Sequence, residues 1–173
     1  MRTTTPRTIL GVAAVTGTLA VAGLTGPALA GGSATRSTGP DVQHVAGAFD
    51  DADAAVQVVR TGTGGTRVSL HVWGVDAPAG TTFGAHVHNL PCGSDPLASG
   101  GHYAHPAPAP SLEARELWLD ITVNEAGNGQ RGAVRSWTVD ESSPRSVVIH
   151  AQPTNPVTGA AGARLACIDL DGE

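Results

Sequence analysis

The sequence has no lysine, two cysteines, a single methionine at position 1 and only two Phe, three Trp and one Tyr in 173 residues. Each shortage excludes something. Without lysine, and with ten arginines scattered against 15 acidic residues, the formal charge is -5 and no basic run exists for nucleic acid or an anionic membrane surface. With so few aromatics, the core has to be built from Val, Leu, Ile and Ala. The 23 Gly and 12 Pro stay below the level of collagen-like or low-complexity chains. The length suits one domain with a real core. Composition excludes these classes and selects no function.

The one long apolar stretch lies at the start. Arg2 and Arg7 form a short positive region, Ile9 to Leu24 is apolar but interrupted by Gly and Thr, and Pro27 precedes the cleavage pattern Ala28-Leu29-Ala30. The stretch is short for a bilayer, which needs about 20 apolar residues. Residues 1–30 are therefore expected to be a signal peptide, and the mature chain to be secreted or extracytoplasmic, in a cell-wall or periplasm-like space, without stable membrane insertion. No Arg-Arg pair and no Cys near the cut indicate twin-arginine export or a lipid anchor. Cleavage leaves 8 Arg against 15 acids, a net charge of -7. Residues 31–41, rich in Ser, Thr and Gly, are expected to be a flexible linker, and 42–173 the folded domain.

Outside the cytoplasm an even pair of cysteines most simply forms one disulfide, here Cys92 with Cys167. It would close a loop of about 75 residues, worth about 4 kcal/mol in the chain-entropy model. The competing reading, two thiolate metal ligands, wants Cys or His neighbours at ligand spacing, whereas Cys167 sits in the apolar run Leu165-Ala-Cys-Ile168.

Along the rest of the chain the hydrophobic period is two, and no segment carries a helical stripe. Ala55–Val59 and Thr66–Trp73 flank Gly62-Thr-Gly-Gly65 as a hairpin. Thr82–His88 reads as the next strand. Residues 93–110 make a Gly/Pro-rich loop too long to be idle in a compact domain. Leu117–Val123 and Gly132–Val139 read as a second hairpin, followed by strands at Ser146–His150 and Ala163–Leu170. The pattern predicts an all-β, antiparallel Greek-key sandwich or flattened barrel of about eight strands.

Histidines carry the functional signal. His86 and His88 lie one residue apart on a strand, so both imidazoles face the same way and can grip one ion. Gly84 leaves room behind them. His102 sits in Gly100-Gly-His-Tyr103, where glycines let the backbone fold close to a site. His150 ends a Val-Val-Ile run, where a core strand delivers its last side chain to a rim. His44 and His71 read as structural or solvent-facing. Imidazole nitrogens suit copper or zinc.

Read together, these segments resemble the Cu,Zn superoxide dismutase family. Phe83-Gly-Ala-His-Val-His88 is similar to its copper-binding strand, with Cys92 following as the first disulfide cysteine. Gly101-His-Tyr103 resembles the segment of the bridging histidine. Ser146–His150 resembles the strand of the last copper ligand, and Gly159-Ala-Ala-Gly-Ala-Arg-Leu-Ala-Cys167 the closing motif. The resemblance runs from about Val45 to Leu170. It implies that His86, His88, His102 and His150 bind copper, that Arg164 stands beside the open coordination position as the catalytic cation, and that Cys92 pairs with Cys167. Read alone, Arg164 would be a surface arginine pairing with a nearby carboxylate.

The departures are informative. The family's zinc site needs further histidines and an Asp after the bridging position, where this chain has Ala114, Glu116 and Leu117. Only His105 offers a second-metal nitrogen, its bland reading being a solvated loop residue; Glu113 and Glu116 are at the wrong spacing, and two histidines do not close a tetrahedral site. The segment 151–163 is short and uncharged, where the family carries acids that orient ligands and lysines that steer superoxide. The chain thus looks like an exported copper-only-like member, with copper as cofactor, zinc a doubtful one, superoxide as partner, and a monomer or weak homodimer as its state. The alternative is a copper-binding or copper-buffering protein with the same fold and little turnover. Arg164 and the absence of Met from the mature chain favour the dismutase.

Overall fold

Valines and leucines at alternate positions set the first sheet. In the computed structural model, which describes residues 33–140 and 144–170, strand β3 (Asp53–Arg60) pairs antiparallel with β4 (Thr66–Trp73), placing Ala54 opposite Val72, Val56 opposite Leu70 and Val58 opposite Val68. All six are buried; their neighbours face outward, as period-two alternation requires. Strand β8 (Gly129–Arg135) takes the free edge of β4.

The other edge of β3 corrects an expectation. Ser33–Gly39 lies within the segment expected to be a mobile linker, yet it forms strand β1, in register with β3 from Ser33 opposite Arg60 to Gly39 opposite Ala54. Composition alone pointed to mobility; an edge strand with a row of unpaired N–H and C=O groups provides a partner. The signal peptide expected at 1–30 lies outside the described residues.

The second sheet has the order β2 (Val42–Gln43), β10 (Arg164–Asp169), β9 (Ser146–His150), β6 (Ala85–His88). Strands β6 and β9 are buried along their whole length. Ala85, Val87, Val147 and Ile149 belong to the shared core, while His86 and His88 stand opposite Val148 and Ser146 on the reverse face. A two-stranded piece, β5 (Thr82–Phe83) with β7 (Ile121–Thr122), completes the described strands. The architecture is an all-β antiparallel sandwich closed by one disulfide between Cys92 and Cys167, Cα–Cα 5.8 Å.

Three local expectations change. Thr82–His88 is not one strand: at Gly84 it leaves β7 for β9, and its break is held by Gly84 N–H donating to Gln152 O and His150 N–H donating to Gly84 O. A Cβ on Gly84 would come within 2.6 Å of Ala161 Cβ and 2.7 Å of Gln152 O, so only glycine permits this approach. The 117–123 and 132–139 segments do not form a paired hairpin, since β7 joins β5 and β8 joins β4. A one-turn helix, α1 (Leu112–Arg115), capped by the Ser111 side chain on Ala114 N–H, interrupts the long connection. As expected, the core is aliphatic, with Phe49, Phe83 and Tyr103 its aromatic members. Among the described residues no helix is long and apolar enough to cross a membrane.

Candidate metal centre

His86, His88, His102 and His150 converge. One ring nitrogen from each lies within 4.8 Å of the others. Three different backbones deliver them. Strand β6 supplies two, and β9 supplies His150 at its last residue. The long loop runs back along β6, with Asn89 N–H donating to Gly101 O and Tyr103 N–H donating to Val87 O, which sets His102 opposite His88.

Every ring has one nitrogen within hydrogen-bond distance of an oxygen, and in three of the four that oxygen can only accept. His88 Nδ1 donates to Gly100 O at 3.0 Å and His150 Nδ1 to Gly162 O at 3.2 Å. His102 Nδ1 donates to Glu116 Oε2 at 2.9 Å. His86 Nε2 lies 2.7 Å from the Thr154 hydroxyl. Carbonyl and carboxylate oxygens only accept, so these partners fix which nitrogen keeps its proton and which keeps a lone pair. The remaining nitrogens of the buried rings, His86 Nδ1, His88 Nε2 and His150 Nε2, have no hydrogen-bond partner.

The three buried rings are held neutral. Burial, joined by the other imidazoles and by Arg164, pushes the pKa of His86 from 6.5 down to about 2. Burial likewise takes His88 to about 3 and His150 to about 4, against the opposing pull of their carbonyl partners. Glu116 shows opposed effects. Burial raises its pKa, but hydrogen bonds from His102 and Trp118 outweigh this and leave it lowered. Trp118 Nε1 donates to the same Oε2 at 2.7 Å.

Arg164 reaches the same face through a β-bulge. Ala166, Cys167 and Ile168 pair regularly with Ile149, Val148 and Val147, but the register shifts between Arg164 and Ala166, placing Arg164 opposite His150. Strict alternation from Cys167 would have put Arg164 on the opposite face. Its guanidinium donates to Pro96 O (2.8 Å), Ser99 Oγ (2.8 Å) and Gly100 O (2.6 Å). The long loop, rather than a carboxylate, holds this arginine.

His105 is not brought to the cluster. Its ring stacks on Trp137 with centroids 4.7 Å apart, and its Nδ1 accepts from Ala107 N–H. Glu116 is near, but as the acceptor for His102 Nδ1, not as a partner of His105. Glu113 contributes its backbone carbonyl to Arg135. His44 and His71 also stand outside the group; His71 packs against Trp73.

Sequence reasoning passed over two residues behind the site: Thr154, which contacts His86 directly, and Asp120, which contacts Thr154. The signal was present in Glu116-Leu-Trp-Leu-Asp120. Leu117 and Leu119 are fully buried in the core, so alternation turns Glu116, Trp118 and Asp120 to the histidine side.

The fold and this cluster define a class: a disulfide-closed β-sandwich with a four-imidazole site able to hold a metal ion. Solved structures share this fold. Among solved structures the chain is similar to the clock protein EA4, at 18% identity over 84% of this chain and 98% of that one, with a TM-score of 0.55. It is similar to an SOD-like protein from Bacillus subtilis at 17% identity, over 68% of this chain and 89% of that one, with a TM-score of 0.50. A double mutant of that protein matches at 18% identity over 69% and 89%, also with a TM-score of 0.50. At these identities the likeness is one of fold. No family model and no curated protein matches the chain.

Proposed function

We propose that this chain is an exported copper protein that dismutes superoxide to oxygen and hydrogen peroxide. One observation carries the reading: each of four converging imidazoles has one nitrogen hydrogen-bonded, and in the three buried rings the other has no partner among the described residues. Buried polar atoms without partners cost free energy, and a cation taking their lone pairs removes that cost. Four imidazoles, with no thiolate or carboxylate among them, fit copper or zinc. Zinc has no redox chemistry, whereas bound copper supplies the one-electron oxidation and reduction that dismutation requires.

The residues divide the remaining work. His86, His88, His102 and His150 hold the ion. Arg164, which spends three of its five N–H groups on the long loop among the described residues, offers a fixed positive charge and hydrogen bonds to a small anion. Glu116 occupies the His102 nitrogen that a second metal would need, so zinc is not expected beside copper. One superoxide is oxidised to oxygen, and a second is reduced and takes up two protons to give hydrogen peroxide.

Metal analysis of the purified mature protein after copper loading, with superoxide consumption measured on the same sample, tests the reading. One copper per chain with rapid consumption supports it. Copper held without consumption favours a copper-binding or buffering protein instead.

A further inference from the structure

The outer face of the first sheet carries a second concave site, on the opposite side of the sandwich from the histidine cluster. Val68, Leu70 and Val72 of β4 point into the core, so alternation turns Ser69, His71 and Trp73 outward. His71 stands opposite Gln130 of β8, and its ring centroid lies 5.3 Å from that of Trp73. Trp73 is itself held, its Nε1 donating to Asp53 Oδ2 at 3.1 Å. Just before β8 the chain makes a tight turn. Asn124 Oδ1 accepts from Ala126 N–H at 2.9 Å and from Asn128 N–H at 3.0 Å, and Asn124 N–H donates to Asn128 O. Between this turn and β4 lies a depression of about 280 Å³, lined by His71, Thr122, Asn124, Asn128, Gly129 and Gln130.

The lining holds no carboxylate, no guanidinium and no hydrocarbon side chain. An anion would find no cation there, a metal ion only one imidazole, and an apolar ligand no apolar wall. What the lining does hold can both donate and accept. The carboxamides of Asn128 and Gln130 make no hydrogen bond among the described residues, and each offers two N–H groups and an acceptor oxygen. The Thr122 hydroxyl, paired with Thr82 Oγ1 at 2.8 Å, keeps a lone pair to spare. A matching ligand is uncharged and presents closely spaced groups that also donate and accept. The volume lies just below the roughly 300–1,000 Å³ of sites for drug-sized ligands, which suits one ring rather than a large cofactor. The partly exposed indole beside His71 adds a rim with an apolar body, fitted to the C–H face of such a ring.

We propose that this depression binds one ring of an uncharged saccharide. With its occupant in place, the molecule would be held by the first sheet while the histidine cluster, on the second, faces away and stays open to small solutes.

The experiment titrates 15N-labelled, metal-free, disulfide-bonded mature protein with neutral trisaccharides of glucose and of N-acetylglucosamine, and with the two monosaccharides. At least one trisaccharide should shift the side-chain amide signals of Asn128 and Gln130 and the backbone amide of Gly129. The shifts should saturate with a Kd of about 0.1 to 10 mM, as expected for a ligand group of one ring. Equal affinity for the monosaccharide assigns a free sugar as the ligand, and tighter binding of the trisaccharide assigns a polymer. Asn128→Ala and Gln130→Ala should each weaken binding by about 3- to 10-fold, the loss of one hydrogen bond. Copper content and superoxide consumption should stay at the wild-type values in both, because neither residue touches the histidines. Gln57→Ala, on the same sheet but outside the depression, should bind as wild type does. No saturable shift with any of the four sugars, or shifts that Gln130→Ala and Asn128→Ala leave unchanged, would overturn the proposal. Failure of the dismutase reading is separate: it appears as copper-loaded protein that does not consume superoxide, with sugar binding intact.

Discussion

His88 and Arg164 share one acceptor. Gly100 O takes the Nδ1 proton of the histidine at 3.0 Å and an Nη2 proton of the arginine at 2.6 Å. A carbonyl has two lone pairs, so both bonds form at once. Gly100 has φ +70°, a backbone conformation that glycine adopts freely. The loop segment that orients His88 therefore also sets the position of the cation, and the two cannot drift apart independently.

Arg164→Glu should lower catalytic efficiency toward superoxide by about one to two orders of magnitude, within the range of electrostatic steering. Copper content should stay nearly unchanged, because Arg164 offers no ligand nitrogen. Rates should also fall with added salt, the Debye length shrinking from about 30 Å at 0.01 M to about 10 Å at 0.1 M. Full copper and full activity in the variant would remove the catalytic role.

Reducing Cys92–Cys167 should loosen the site as well as the fold. The bond joins residues 75 apart and ties the start of the Arg164-holding loop to β10, where Cys92 N–H also donates to Asp169. Loss of a crosslink of this span costs about 4 kcal/mol in the chain-entropy model. Thermal unfolding with and without reductant, alongside copper retention, checks this. Two reactive thiols in native unreduced protein would contradict it.

The metal-free protein should lose stability as pH falls below 6.5. His86, His88 and His150 have folded pKa values of about 2, about 3 and about 4, against 6.5 ordinarily. The unfolded chain takes up protons in this window that the folded chain refuses, so stability is fully present above 6.5 and declines as pH drops toward those values. Each histidine contributes a slope of at most about 1.4 kcal/mol per pH unit. Urea titrations of metal-free protein at several pH values measure it; a flat profile from 7.5 to 5 would rule out buried neutral imidazoles.

Glu116→Ala should weaken copper retention by about tenfold, since His102 loses the acceptor that orients it. Glu116→Gln should fall between, because an amide oxygen still accepts from Nδ1 but without the charge. Competition against a chelator measures both. Equal retention in all three proteins would show that the His102–Glu116 contact does no orienting.

Sequence alone determined the all-β class and the shared face of His86 and His88, because each rests on a local rule; the cysteine pair followed from expected export, and the set of four histidines from a resemblance between whole segments. Ala54, Val56 and Val58, with Val68, Leu70 and Val72, turn one face inward by alternation, and His86 and His88 share a face whatever the rest of the chain does. Tertiary structure decided the remainder. Which side of β10 Arg164 occupies depends on a bulge, which changes register without marking the sequence. Whether Ser33–Gly39 pairs depends on β3 offering an open edge, which composition does not reveal. Glu116, Asp120 and Thr154 reach the histidines only because a loop closes over Gly84 and a segment packs its leucines behind them. The shared face of His86 and His88 follows from the period of the chain. The orientation of His102 and His86 follows from residues 14 and 68 positions away, brought near by packing that no local pattern encodes.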